Sequence, residues 1–301
     1  MTEPTLADSQ RPSLYIGCPI WAFAQWKGSL FTAKATRREF LSQYASVFNT
    51  VEVNSTFYAL PGSETIEQWC DQTPAGFRFC LKFPKSISHE AKLFDCGAVT
   101  DAFLSLLSTL QQRDRLGPAF LQLPPYFSGT DFGLLEQFLR SLPKEFSYAV
   151  EVRHRDWFDE GECERGLDQL LTDLGMDRCL FDSRSLFSAA PTDETEKEAQ
   201  RRKPRSPFRT TVTGEHPMVR VVGRNDVAAV EDWWNDWAEI AACWLQQGLS
   251  PYLFTHAPNE LFAPALGEKL WGLVNQHCPD VPPMPAWPGR AEITFRQPTL
   301  F

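Results

Sequence analysis

Two β-branched runs in this chain each carry a carboxylate near their centre. Thr50–Tyr58 reads T-V-E-V-N-S-T-F-Y and Ser147–Arg153 reads S-Y-A-V-E-V-R, so Glu52 and Glu151 sit in segments that alternate like strands. Two carboxylates in different surroundings can divide acid–base work: burial raises the pKa of one while a neighbouring cation keeps the other ionised. Glu151 has Arg153 two residues on and is expected to be the base or nucleophile. Glu52 has Asn54 and Thr56 as neighbours and is expected to be the proton donor. Lys82, Arg153 and Arg220 are suited to clamping a phosphate or carboxylate, with Gln122 and Asp182 as further polar groups. His89, His154 and His256 fall at or just past the ends of apolar runs, and Trp21, Tyr58 and Trp157 offer rings that a sugar or base can stack on. The chemistry this implies is that of a hydrolase or lyase acting on a small polar or anionic substrate.

Competing readings apply to the same residues. Paired Glu and Arg side chains can simply fill a protein interior as a charge-balanced plug. Glu52, Glu151, His154 and His256 are chemically able to hold a divalent metal, but five histidines in all make a multi-zinc cluster a poor fit, and no cofactor is expected. A Schiff-base role for Lys82 requires a lowered pKa, and two nearby cations facing three acids give no clear case for one.

These side chains need elements to hold them. Short apolar runs at Leu14–Cys18, Thr50–Asn54, Phe77–Lys82, Ala119–Leu123, Ser147–Arg153, Arg178–Asp182, Met218–Val222 and Tyr252–His256 read as strands. Most are followed by a helical pattern: 36–48, Ser63–Cys70, a helix ending near Gln112, Asp131–Leu142, Glu162–Leu174 with Gly175 past its end, Asp226–Gln247 and Leu261–His277. Strands and helices alternating at this spacing predict an α/β protein, a single-domain TIM-like (β/α)8 barrel over residues 14–280. A polar tail (1–13) precedes it and a Pro-rich tail (281–301) follows. An open doubly wound sheet is the alternative, weakened by the lack of a Gly-rich turn after the first strand. The sixth unit is irregular: 191–207 runs from acidic to basic with three prolines and is expected to be a mobile loop replacing the sixth helix, or a helical turn upon it. In a barrel, chemistry sits at the carboxyl ends of the strands. If charges are kept out of the dry helix-facing layer, Glu52, Asn54, Lys82, Gln122, Glu151, Arg153, Asp182 and Arg220 all point inward there.

Composition narrows the function classes. The 301 residues carry a net charge of −9, which argues against a protein that coats nucleic acid or an anionic membrane. No apolar run approaches the roughly 18 residues of a membrane span. Met1–Arg11 lacks the apolar core of a signal peptide, and the eight cysteines include no C-x-x-C pair. A cytoplasmic protein with reduced, buried thiols is expected.

Several segments together resemble a known family. I-G-C-P-I-W (16–21), V-E-V-N-S-T-F-Y (51–58), F-R-F-C-L-K-F-P-K-S-I-S-H (77–89), L-G-P-A-F-L-Q-L-P-P (116–125) and A-V-E-V-R-H-R-D-W (149–157) are similar to the DUF72 (YecE-like) family, in its order, over most of the chain. The resemblance implies a TIM-like barrel and brings no settled activity. Two places depart from the family pattern: Val222 stands where a histidine is usual, and Thr255-His256 where a pair of asparagines is usual.

The C-terminal Gln297–Phe301, Q-P-T-L-F, also resembles the short peptide by which bacterial replication and repair proteins dock on the sliding clamp, with Pro298 departing from it. Gln297, Leu300 and Phe301 would make that contact after a Pro/Gly-rich lead-in over 281–289. The competing reading folds Phe295, Leu300 and Phe301 back over the base of the barrel.

Overall fold

The structure, a computed structural model, describes residues 13–296. Strands β1 (Tyr15–Gly17), β2 (Thr50–Val53), β3 (Arg78–Leu81), β4 (Ala119–Gln122), β5 (Tyr148–Glu151), β6 (Asp177–Asp182), β7 (Met218–Val222) and β8 (Tyr252–His256) fall where the apolar runs predict them. Between them lie helices α1 (Phe40–Ala45), α2 (Ser63–Asp71), α3 (Gly97–Gln112), α4 (Phe132–Ser141), α5 (Glu162–Leu174), α6 (Glu194–Arg202) and α7 (Glu231–Gln246), with α8 (Ala263–His277) and α9 (Pro288–Arg296) at the end. The helices bury apolar stripes against the strands, as Leu167, Leu170 and Leu171 of α5 do. That helix stops at Gly175, whose φ of 63° is the left-handed conformation a helix end uses.

The fold is α/β. Six strands form one curled parallel sheet in the order β1-β8-β7-β6-β5-β4, and β2 pairs with β3 in a separate parallel pair. Between β3 and β4 the ladder is reduced to single bridges, with Phe79 N–H donating to Arg115 O (2.8 Å) and Phe83 N–H to Phe120 O (3.0 Å). Between β1 and β2 a side chain stands in the ladder. Cys18 N–H donates to the Tyr44 hydroxyl (2.7 Å), which donates to Thr50 O (2.9 Å), and one direct bond runs from Glu52 N–H to Cys18 O (3.1 Å). Asn49 extends this seam, accepting from Ile16 N–H (3.0 Å) and donating to Leu14 O (2.7 Å). Gly17 permits the close approach, since a Cβ there would meet Thr50 O at 2.1 Å.

The concave side of the sheet is layered. Tyr15 stacks on Tyr252 (4.3 Å) toward the amino ends of the strands. Cys80, Phe120, Ala149, Cys179, Met218 and Phe254 form an apolar layer with Tyr252, and the charged side chains lie beyond it, at the carboxyl ends. The convex side packs a larger core under the helices, including Trp234 and Trp237 of α7. The cysteines are free thiols, mostly buried, though Cys243 is exposed and Cys163 and Cys278 are half-buried. No helix among the described residues is long and apolar enough to cross a membrane.

Segment 183–217 carries a helix, α6, in place of the mobile loop that was one of the two expectations for it. Asp193 caps α6 by accepting from Glu196 N–H (2.9 Å), and acids at the first turn with Arg201 and Arg202 at the last suit the helix dipole. Glu196 is fully buried and pins the helix, accepting from Arg224 (3.2 and 2.7 Å) and from Asn225 N–H (2.9 Å). The C-terminal stretch likewise packs on the body instead of reaching outward: Glu292 accepts from Ala33 N–H (3.0 Å), and Arg290 pairs with Glu268 of α8 and lies over Trp287. The reading that folds Phe295, Leu300 and Phe301 over the base of the barrel concerns side chains outside those described. The clamp-docking reading of Gln297, Leu300 and Phe301 falls outside the described residues.

The Glu196–Arg224 pair gives a test of how α6 is held. Glu196→Gln should cost about 1–3 kcal/mol and raise amide hydrogen exchange over 194–202 while the strands keep their protection. Unchanged exchange in α6 would show that the ion pair does not pin it.

Candidate active site

Strand β7 carries Arg220 inward, and its guanidinium joins the two acids that sequence places on β2 and β5. Nε donates to Glu52 Oε2 (2.8 Å) and Nη2 to Glu52 Oε1 (2.7 Å), a bidentate pairing, while Nη1 donates to Glu151 Oε2. All three side chains are buried. Glu52 also accepts from Asn54 Nδ2 (2.7 Å) and lies 3.0 Å from His256 Nε2. Glu151 accepts from Arg153 Nε (2.7 Å).

Burial alone would raise both carboxyls, and the cations overrule it. Arg220 holds Glu52 well below the usual carboxylate range, and Arg220, Arg153 and Lys82 bring Glu151 down to about 2. His256 is pushed down to about 4 by burial, so at neutral pH it is an uncharged imidazole donating to Glu52. The positive charge on Glu52 is therefore Arg220's. This reverses the expected role of Glu52: a carboxylate ionised this firmly has no proton to donate.

Gln122 occupies the centre. Its Oε1 accepts from Lys82 Nζ (2.9 Å), Arg153 Nη2 (3.1 Å) and Arg220 Nη1 (3.4 Å), so three cations crowd one uncharged oxygen. Lys82 makes no ion pair among the described residues; it sits over the ring of Phe57 (4.2 Å) and near that of Phe120 (5.8 Å). Burial first, then the charge of Arg220, pull its ammonium down to about 7. Local sequence does not report this shift, because it arises from burial and from acids already taken up by arginines on other strands.

Other expected site residues stand elsewhere. Asp182 is on the convex face, bound by Arg184 (3.0–3.2 Å) and by Trp237 Nε1 (2.8 Å). The inward residues of β6 are Cys179 and Phe181. The rule that kept charges out of the helix-facing layer fails here because that layer supplies partners. Arg178 on the same face bonds Glu164 (3.1 Å), Asp168 (2.7 Å) and Trp157 O (2.9 Å). Trp157 is fully buried, donating to Phe127 O (2.8 Å), and Trp21 packs edge-on against Trp69 and Phe79, so neither ring is offered to a ligand. His154 accepts from Asp156 N–H (3.3 Å) as the cap of a short turn. Thr56 is buried and donates to Val53 O (2.9 Å) and Lys82 O (2.7 Å), fixing the chain after β2. Tyr58 is 80% exposed. His89 is on the rim, edge-on to Phe57 (5.0 Å), with its pKa lowered to about 4 by burial and by Lys82 and Arg153. Of the two departures from the family pattern, Val222 packs with Phe181 and Leu186, and Thr255 points away to Ala263 O (3.0 Å).

Glu52 meets His256, but no group of three His, Cys, Asp or Glu side chains among the described residues is arranged to hold a metal ion. Two open depressions among the described residues lie away from the charged cluster. One of about 610 Å³ is at the amino ends of the strands, beside Tyr15, Arg78 and His216, and one of about 600 Å³ is on the outer surface beside Phe132 and Asp156. Charge and hydrogen bonding therefore mark the candidate site, not the size of a hollow.

The sequence profile of the family described as "Protein of unknown function DUF72" matches residues 15–290. The chain belongs to the DUF72 family. It is 38% identical over 280 residues to the UPF0759 protein YecE of Escherichia coli K12, covering 93% of this chain and 99% of that one. The UPF0759 protein YunF of Bacillus subtilis is 26% identical over 150 residues, 48% of this chain and 52% of that one. Among solved structures, a DUF72 family protein of Thermotoga maritima superposes with a TM-score of 0.68 at 21% identity, covering 87% of this chain and 99% of that one. One from Enterococcus faecalis gives 0.66 at 17%, covering 88% and 99%. At these identities the structures speak for the fold alone.

Three residues near the cluster escaped the sequence reading: Phe181, Lys203 and Glu260. Phe181 lies under Arg153 (5.2 Å), Arg220 (5.8 Å) and Lys203 (5.9 Å).

Removing Arg220 strands two buried carboxylates, so Arg220→Met should cost about 3–5 kcal/mol, and Glu52→Gln less, because Gln keeps an acceptor. The Glu151 carboxyl falls from 4.5 in the unfolded chain to about 2 in the folded one. Its stabilisation is therefore complete above about pH 4.5 and lost as pH drops toward 2. Urea unfolding across that range should show a shallower acid limb for Arg220→Met than for the native chain; parallel limbs would contradict the ion-pair assignment.

Proposed function

We propose that this chain is an acid–base enzyme, a hydrolase or lyase, acting on a small polar, anionic substrate at the carboxyl ends of its strands, with Lys82 as the group that moves the proton. We take the eight strands as a closed (β/α)8 ring. Support for closure comes from the Tyr44 and Asn49 side chains bonded into the β1–β2 seam and from the single bridges between β3 and β4. In such a ring the charged layer lies where barrel enzymes place their chemistry.

One observation carries the reading: Lys82 is a buried lysine whose ammonium makes its only hydrogen bond among the described residues to the uncharged Gln122 oxygen. With an ammonium pKa of about 7, both forms are populated at neutral pH, the condition a general acid or base needs. Glu52 and Glu151 enter as fixed charges. They neutralise Arg220 and keep the cluster from repelling itself, and they leave Lys82 and the outer edge of Arg153 to meet an anion. No cofactor is needed for proton transfer of this kind, and Lys82 as a free amine is also competent to attack a carbonyl.

The reading is tested on Lys82 directly. In protein labelled with 13C at lysine Cε, one resonance should titrate near pH 7 while exposed lysines titrate near 10.4, and it should vanish in Lys82→Met. A charged lysine that the fold disfavours destabilises below its folded pKa, and the penalty is relieved as pH rises from about 7 to 10.5. Lys82→Met should therefore melt higher than the native chain at pH 6, with the difference closing by pH 10. A Lys82 resonance titrating near 10 would rule the proposal out.

A further inference from the structure

Beside the cluster stand two ionisable groups that the structure leaves without partners. Lys203 follows α6 in extended backbone, and the carbonyl of the next residue, Pro204, accepts from Ser183 Oγ (2.7 Å). The Lys203 ammonium makes no hydrogen bond or ion pair among the described residues. It lies over Phe181 on the ring that Arg153 and Arg220 also face, and the charges acting on it are those of Arg220, Arg153, Glu52 and Glu151. Glu260 begins the short turn Glu260–Phe262 after β8. Its backbone carbonyl is fixed by Trp26 Nε1 (2.9 Å), yet its Oε2 is buried with no hydrogen-bond partner. The charges acting on it are Lys203 and Glu52.

An orphaned carboxyl oxygen and an unpaired ammonium are each costly when desolvated. They would relieve one another as an ion pair, and they do not form one. Burial instead drives both toward the neutral form, Glu260 up to about 7 and Lys203 down to about 8. The surrounding charge decides what can enter. Arg220 is matched by Glu52 and Glu151, and Arg153 already leans on Glu151, so Lys203 and Lys82 are surplus cations that call for an anion. Glu260 calls for something else. Near neutral pH its carboxyl is both donor and acceptor, and a hydroxyl is the ligand group that satisfies it in either state.

We propose that Lys203 and Glu260 are the two specificity-determining residues of the site and that they select a small hydroxylated anion, Lys203 with Arg153 taking its charged end and Glu260 its hydroxyl. This deepens the proposed function and rests on it, since it names the substrate class of that site. It also gives segment 183–217 a role: pinned by Glu196 and Arg224, it delivers a cation that no strand provides.

The test uses D-glycerate and propionate, three-carbon carboxylates that differ in their hydroxyls. In calorimetric titrations at pH 7 the native chain should bind D-glycerate about tenfold or more tighter than propionate. Lys203→Met should weaken D-glycerate about tenfold or more, and Glu260→Ala should abolish the preference over propionate while leaving propionate binding unchanged. Melting curves of both variants verify that they fold. D-glycerate binding that is undetectable at millimolar concentration, or equal in the native chain and Lys203→Met, overturns the inference. The lysine titration separates the two readings: a Lys82 resonance near pH 7 without D-glycerate binding removes only the selection by Lys203 and Glu260. Binding with Lys82 titrating near 10 removes the acid–base reading and leaves an anion-binding site.

Discussion

The arrangement of the charged layer depends on one buried guanidinium. Arg220 gives its side-on pair of N–H groups to Glu52 and its remaining nitrogen to Glu151, so three strands that are distant in sequence are tied at one point. The Coulomb attraction has to exceed the cost of desolvating all three charges, and it does so only because the bonds are nearly complete. His256 and Asn54 fill the remaining positions on Glu52, and Arg153 fills that on Glu151. With both carboxylates committed, any further cation in the layer must do without an acid of its own.

Lys82 and Lys203 are those cations. Each is held among arginines and aromatic rings rather than against a carboxylate, and each is shifted toward its neutral form, by burial first and then by the charge of the arginines. The acids are thus fixed and the lysines titrate, the reverse of the roles that residue type alone suggests. A plug of paired charges would have left no such surplus.

The family relationship extends across nearly all of the chain. Within the strands, Val222 packs on Phe181 and Leu186, while His256 brings an imidazole to Glu52 from the last strand.

Alternating apolar runs and helix periodicity were enough to place the strands, most of the helices and the inward direction of Glu52, Lys82, Gln122, Glu151, Arg153 and Arg220, because pleat and helix pitch are properties of the local chain. The register of β6 was not legible. Arg178 and Asp182 are tolerated under the helices only because Glu164, Asp168, Arg184 and Trp237 meet them there, and no local pattern reports such partners. Trp21 and Trp157 went into the convex core for the same reason. Sequence alone determined which chemistry-bearing residues the chain owns and which end of the sheet most of them occupy. Tertiary structure decided which acid meets which cation, and so which groups remain free to titrate. Charge interactions act through space over a few ångströms, and those neighbours come from strands and a folded-back segment far apart along the chain.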